Sequence, residues 1–239
     1  MAINENKVIS WFSAGVSSAV ATKIAIDSFG CEDVIYIEID DQHPDNERFI
    51  AECEQWFGLK IQRLKSKYEN VDNVMLSQRY VNSPTGAPCS RLLKMRVRQE
   101  WEIQQDEPIT YVWGFDWNER ERAKRRAESL CEYSHLFPLI DREITKNIVH
   151  GMIENADIKR PVMYDLGFPN NNCIGCVKGG MGYWNRVREC FPEVFELRAK
   201  RERELGATCI KGVYLDELEE GRGINNPIVP DCGLFCEIN

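Results

Sequence analysis

An apolar stretch, Val8 to Phe12, breaks at Ser13 into the compact run Ser13-Ala14-Gly15-Val16-Ser17-Ser18 and resumes as Ala19 to Ile26, rich in Ala, Val and Ile at helical spacing. The first run has the character of a buried strand and the second that of a helix. A turn built from such small side chains lets backbone N–H groups approach an anion closely. The helix that follows directs its positive end at the same point, and the hydroxyls of Ser13, Ser17 and Ser18 can add hydrogen bonds. The competing reading is an ordinary strand-to-helix turn with a serine N-cap.

Strand and helix signals go on alternating. Val34–Ile39 reads as a second strand, Glu47–Phe57 as a helix, Lys60–Leu64 as a third strand, Ser90 to Glu102 as a helix and Thr110–Gly114 as a further strand. The alternation predicts an α/β fold: a Rossmann-like open, mostly parallel sheet with helices on both faces. Ligands in such folds bind at the carboxyl ends of the strands, which points to the loops Ser13–Ser18, Asp40–Asn46 and Gly114–Arg122. After Ser129 the strand signals fade. Ile144–Asn155 reads as a helix and Tyr183–Leu205 as charged amphipathic helix broken near Pro192. The expected organisation is a nucleotide-binding catalytic domain over residues 1–205 and a cysteine-containing tail over 206–239, so that the C-terminal region is helical and irregular.

No apolar run reaches membrane-spanning length and the N-terminus lacks a signal-peptide pattern, so the expected location is the cytoplasm, with no membrane partner. A formal net charge of −8 speaks against a uniformly basic nucleic-acid surface but leaves room for local basic clusters, Arg91 to Arg98 and Arg120 to Arg126. For the second cluster, alternation with Glu119, Glu121 and Glu128 makes a solvated, ion-paired helix face the competing reading. Ten cysteines in a reducing compartment need an explanation other than disulfides. Cys31, Cys53 and Cys131 sit singly and read as buried core thiols. Cys173 and Cys176, like Cys232 and Cys236, come in close pairs. The Cys173-x-x-Cys176 turn, between Asn170-Asn171-Asn172 and Gly179-Gly180, can present two thiolates to zinc or to an iron–sulfur cluster.

A Walker A loop ends in a Lys that Ser17-Ser18 lacks, and a dinucleotide fingerprint needs more glycines than Gly15. Ser13-Ala-Gly-Val-Ser-Ser18 instead resembles the PP-loop of the adenine nucleotide alpha-hydrolase-like superfamily, whose common form is Ser-Gly-Gly-x-Asp-Ser. Ala14 replaces a glycine and Ser17 the aspartate. Within that superfamily the chain is similar to the phosphoadenosine-phosphosulfate (PAPS) and adenosine-phosphosulfate (APS) reductase family. The similar segments run in family order from residue 7 to about 200: Ile37 to Ile50, where Asp45 and Glu47 also suit a helix start; Ala87-Pro88-Cys89-Ser90-Arg91-Leu-Leu-Lys94, with Ser90 where a second cysteine is usual; Trp113-Gly114-Phe115 through Glu119 to Arg122; Pro138-Leu139-Ile140-Asp141; and Leu166-Gly-Phe-Pro169 through Cys173 to Cys176.

The resemblance implies an adenine nucleotide (PAPS, APS or ATP) bound by Ser13, Ala14, Gly15, Ser17, Ser18, Asp40, Gly114 and Glu119, with Lys94 and Arg122 on its anionic groups. It implies a [4Fe-4S] cluster on Cys89, Cys173 and Cys176, zinc being the alternative, with the fourth position open to Cys232, Cys236, Ser90 or a non-protein ligand. Asp231-Cys232-Gly233 resembles the reductases' nucleophile segment, so Cys232 is the expected catalytic thiol, although Phe235 stands where a histidine is usual. A structural or metal-binding Cys232/Cys236 pair is the competing reading. The simplest expected activity is thiol-dependent reduction of a sulfonucleotide to sulfite, with a thioredoxin-like reductant and a homo-oligomeric state among the expected partners. The alternatives are an ATP-dependent, cluster-dependent sulfurtransferase acting on nucleic acid and a non-catalytic nucleotide-binding protein.

Overall fold

The structure, a computed structural model, describes residues 6–82 and 86–223. Strand β1 (Lys7–Phe12) buries its last four residues because it has a parallel neighbour on each side. Ile9 to Phe12 pair with Asp33 to Tyr36 of β2 (Asp33–Glu38), and Lys7 to Ser10 pair with Ile109 to Val112 of β4 (Ile109–Val112). With β3 (Ile61–Lys65) and β5 (Ser134–Leu136), the sheet has five strands in the order β3-β2-β1-β4-β5, all parallel. This is the expected open α/β sheet. Strand β5 is a correction to the fading strand signal after Ser129. Ser134-His135-Leu136 has no apolar run of its own and is a strand because Thr110 to Val112 of β4 pair with it.

The helices are α1 (Val16–Phe29), α2 (Asn46–Phe57), α3 (Val71–Gln78), α4 (Arg96–Glu102), α5 (Arg120–Ser129), α6 (Lys146–Asn155), α7 (Val162–Asp165), α8 (Met181–Cys190) and α9 (Pro192–Leu205). The segment Ser90–Met95 is a π-helix, whose wider turn lets the Arg96 N–H bond the Arg91 carbonyl five residues back. Apolar periodicity could not distinguish this from the first turns of an α-helix. No helix among the described residues is long and apolar enough to cross a membrane.

The described residues divide into two compact units: one holds residues 6–36, Asp45–Leu64 and Glu100–Pro161, the other Ile37–Pro44, the described part of 65–99 and residues 162–223. In the first, α1 buries Ala19, Val20, Ala21, Thr22 and Ala25, side chains small enough to bring its backbone close to the sheet. Phe12 packs on Tyr36, Phe49 and Phe57 with ring centroids 5.9 to 6.2 Å apart, and on another side of the sheet Trp11 meets Trp101 and Tyr111. In the second unit α8 and α9 pack together around Trp184 and Phe195.

Cys31 and Cys53 are core thiols, as expected, and burial pushes the Cys31 thiol up to about 12. Cys131 is exposed, contrary to the expectation. Leu130 takes the buried position at the end of α5, and the chain turns outward at the next residue.

Candidate functional site

In the first unit the strand order reverses direction between β1 and β4, so the loops leaving these two strands flank the switch point of the sheet. Ser13 follows β1 directly and Gly114 lies just beyond β4. The Ser18 Oγ shapes the first loop. It accepts from the Ser13 N–H (3.1 Å) and the Ser13 Oγ (3.0 Å) and donates to the Gly15 carbonyl (2.9 Å). One turn on, Thr22 donates to the Ser18 carbonyl (2.7 Å), so its oxygen accepts from Ser10 of β1 (2.7 Å). A line of hydroxyls thus ties the strand to the loop, and Ser18 spends its donor on the loop itself.

Ala14 has φ of 57° with its side chain buried, a left-handed conformation at the position where the PP-loop has glycine. Holding a Cβ there costs about 1–2 kcal/mol, tolerable because the surrounding bonds over-determine the turn. Gly15 is the N-cap of α1, not a serine, and the first turn of α1 contains no acidic residue. The helix's own first turn therefore brings no carboxylate to its positive end.

The β4–α5 segment docks on this loop. A Cβ built on Gly114 would stand 2.7 Å from the Ser18 Cα and 2.8 Å from its nitrogen. Only glycine permits that approach. Asp116 and Glu119 then form a reciprocal capping box, with the Asp116 carboxylate accepting from the Asn118 N–H (2.8 Å) and Glu119 from the Asp116 N–H (3.2 Å). The other Glu119 oxygen holds Arg122 at 2.8 Å, and the Arg122 guanidinium lies 4.7 Å from the centre of the Phe115 ring. Arg122 is therefore held in place by the same segment that closes on the loop. Further along, the Trp113 indole donates to His135 Nδ1 (3.0 Å), which leaves Nε2–H to donate to the Leu130 carbonyl (2.9 Å). Burial lowers the His135 pKa below its ordinary 6.5.

Also in this unit, Asp45 and Glu47 have structural partners. Asp45 pairs with Arg48 (2.7 Å), which also bonds Glu52 and the Lys159 carbonyl, and Glu47 pairs with Arg63.

The second unit carries the remaining expected residues. Asp40 pairs with Lys65 at 2.6 Å, and its N–H bonds the Glu69 carbonyl. Cys89 precedes the π-helix, Ser90 is buried at its start, and Lys94 is half-buried on it. Cys173 and Cys176 are both buried, on a turn fixed by Tyr183. The Tyr183 hydroxyl donates to the Cys173 carbonyl (3.1 Å) and accepts from the Cys176 N–H (2.9 Å). A Cβ at Gly179 would stand 1.9 Å from the Tyr183 ring, so this glycine makes room for the tyrosine. His43 packs edge-on against Phe191. Cys232 lies outside the described residues.

Sequence reasoning missed three residues here. Asp41 joins separate segments: its carboxylate accepts from the Val71 N–H at the start of α3 (2.6 Å) and its carbonyl from the Ile174 N–H inside the Cys-x-x-Cys turn (2.8 Å). Burial pushes its carboxyl above the usual carboxylate range. Arg198 and Glu202, one turn apart on α9, are fully buried, and the Glu202 carboxylate accepts from the N–H groups of Cys209 and Leu215. In sequence α9 reads as a charged surface helix, and no local signal separates its two buried charges from the rest.

The thiols of Cys89, Cys173 and Cys176 are the soft donors an iron–sulfur cluster requires, so the donor chemistry fits that group. No group of three or more His, Cys, Asp or Glu among the described residues is spaced to hold a metal ion.

An open parallel sheet with a hydroxyl-tied small-residue loop at its switch point is an α/β architecture in keeping with the PP-loop, adenine nucleotide alpha-hydrolase-like superfamily. Residues 7–180 match the family described as the phosphoadenosine phosphosulfate reductase domain, and the chain belongs to that family. It is also similar to the uncharacterized protein MJ0066 of Methanocaldococcus jannaschii, 21% identical over 194 residues, which cover 77% of this chain and 39% of that protein. The chain thus spans well under two thirds of the length of this relative.

Proposed function

We propose that the first unit binds an adenine nucleotide with its anionic group on the Ser13–Ser18 loop, and that the protein reduces a sulfonucleotide to sulfite at the expense of thiols. The observation that carries this reading is the preformed loop: Ser18 and Thr22 hold it in shape, Gly114 closes on it, and the first turn of α1 brings no carboxylate of its own. Ser17 stands where a PP-loop aspartate would help to handle Mg-ATP, and a hydroxyl there suits a sulfate-bearing nucleotide better.

In this reading a cysteine thiolate, assigned to Cys232 by the resemblance of its segment, attacks the sulfur atom of the substrate. The sulfur–oxygen bond to the nucleotide phosphate breaks, and AMP or its 3′-phosphate leaves with the electron pair. A second thiol, from a dithiol reductant of thioredoxin type, then attacks the protein sulfur and expels sulfite as a disulfide forms. Two thiols are oxidised and sulfur(VI) becomes sulfur(IV). Arg122 supplies fixed positive charge for the anionic substrate, with Lys94 assigned the same task. Cys89, Cys173 and Cys176 would hold a [4Fe-4S] cluster, which supplies an electron-delocalised iron–sulfide centre when bound.

The test is sulfite release from PAPS and from APS with a dithiol reductant. Cys232→Ser should abolish it. Sulfite release undiminished in that variant, or ATP consumption coupled to thiolation of a nucleic acid and indifferent to Cys232, overturns the reductase reading.

A further inference from the structure

We infer that the outer face of α5 is a binding surface for single-stranded nucleic acid, with Arg120, Lys124 and Arg125 on its phosphates and the Trp117–Arg120 stack as a platform for an unpaired base. The inference goes beyond the nucleotide site and holds whatever reaction that site performs.

Helix α5 reads Arg-Glu-Arg-Ala-Lys-Arg-Arg-Ala-Glu-Ser, five cations against two acids in a chain of formal net charge −8. Packing sorts the five. Arg126 is buried, Arg122 is half-buried and held by Glu119, and Arg120, Lys124 and Arg125 are exposed. The sequence also allows an ion-paired helix face, but among the described residues neither Glu121 nor Glu128 pairs with the three outward cations. Arg120 and Lys124 lie one turn apart, about 6 Å along the helix axis. Like charges at that spacing destabilise a helix, so the row adds nothing to the stability of the fold. A strand of phosphates, each carrying one negative charge, is the complement of such a row.

Arg120 is held ready. Its guanidinium carbon lies 3.9 Å from the centre of the half-buried Trp117 ring, and its Nη1 donates to the Trp117 carbonyl. The Trp117 N–H donates in turn to the Ile144 carbonyl (2.9 Å), which anchors the pair at the backbone. A guanidinium held against an indole keeps donors for a phosphate and offers its outer side to a planar base. Bases paired in a duplex do not present that face, which favours a single strand.

Two other polyanions match less well. The exposed positions of α5 hold no apolar side chain to enter a lipid surface. An acidic polypeptide answers the cations but brings only carboxylates to the stack.

The test is fluorescence anisotropy of the full chain with labelled mixed-sequence DNA and RNA single strands of about 15 nucleotides, titrated over a range of salt. In wild type, log K should fall against log salt with a slope of about −2, the value for three phosphates on a single strand. Lys124→Gln should reduce that slope by about 0.7, a change that a merely structural role does not produce. Arg120→Lys should keep the slope and lose affinity severalfold, because the charge stays and the stack goes. Lys124→Glu combined with Arg125→Glu should weaken binding at least tenfold while keeping the wild-type Tm and far-UV circular dichroism. No saturable binding by wild type, or equal affinity of the charge-reversed variant, overturns the surface. Binding of a duplex of the same sequence as tightly as the single strand overturns the choice of ligand. So does competition by polyglutamate or by anionic phospholipid vesicles as strong as that by unlabelled oligonucleotide. Should the charge-reversed variant not fold, Lys124→Gln decides, and an unchanged salt slope overturns the surface.

Discussion

Gly114 lies so close to Ser18 that a methyl group on it would stand 2.7 Å from the Ser18 Cα. This contact joins the two loops that leave the central strands β1 and β4. Its neighbour is backbone, which cannot swing aside as a side chain would. Gly114→Ala should therefore displace one loop and destabilise the protein by about 1–3 kcal/mol. Adenine nucleotide affinity should fall at least tenfold, and calorimetric titration beside a thermal melt reads both effects. An alanine variant that binds as wild type would show that the contact has no part in the site.

Ser18 is buried and makes three hydrogen bonds within the loop. Ser18→Ala leaves the Ser13 N–H without that acceptor and should cost about 1–3 kcal/mol, lowering Tm by several degrees. Ser17→Ala should leave Tm unchanged and weaken only nucleotide binding. Equal effects of the two substitutions on Tm would contradict this division of labour.

Arg122 is pinned by Glu119 and stacked on Phe115. Arg122→Ala should weaken binding of a sulfonucleotide by roughly 10- to 100-fold, the worth of a charge-assisted hydrogen bond, and leave binding of uncharged adenosine unchanged. Arg122→Lys should recover only part of the loss, because the planar fork is gone. If adenosine binding falls equally, Arg122 acts on the fold and not on the anion.

His135 accepts the Trp113 indole N–H on Nδ1, so protonation must break that bond. Its folded pKa is lowered, chiefly by burial, so below the ordinary value of 6.5 the unfolded chain binds the proton first. The stabilisation is complete above 6.5 and is lost as pH falls through the folded pKa. Tm should drop between pH 7 and pH 5, and more steeply in wild type than in His135→Gln, which keeps an acceptor but does not titrate. Parallel curves for the two proteins would refute the assignment.

The sheet was legible wherever a strand is buried on both faces, because Val8 to Phe12 and Val34 to Ile39 write burial as unbroken apolar runs. Ser134-His135-Leu136 was not legible, since its strand character comes from β4 alone. The Ser13–Ser18 loop announced itself through small residues between a strand and a helix, a local pattern. The roles within it did not: that Ser18 shapes the loop shows only in its side-chain hydrogen bonds to Ser13 and Gly15, and that Gly114 is a glycine on account of Ser18 depends on a contact across almost a hundred residues. The same holds for Asp41, Arg198 and Glu202. Their charges look like surface charges until α9 is packed, and the π-helical turn at Ser90–Met95 has no signature in apolar spacing.

The most direct test of the nucleotide site is calorimetric titration of wild type and Gly114→Ala with adenosine 5′-phosphosulfate and its 3′-phosphate at one fixed ionic strength. The expected result is saturable binding of one nucleotide per chain in wild type and at least a tenfold loss in the variant. Absence of saturable binding by folded wild type, or equal affinity in both proteins, would contradict the placement of the nucleotide on the Ser13–Ser18 loop.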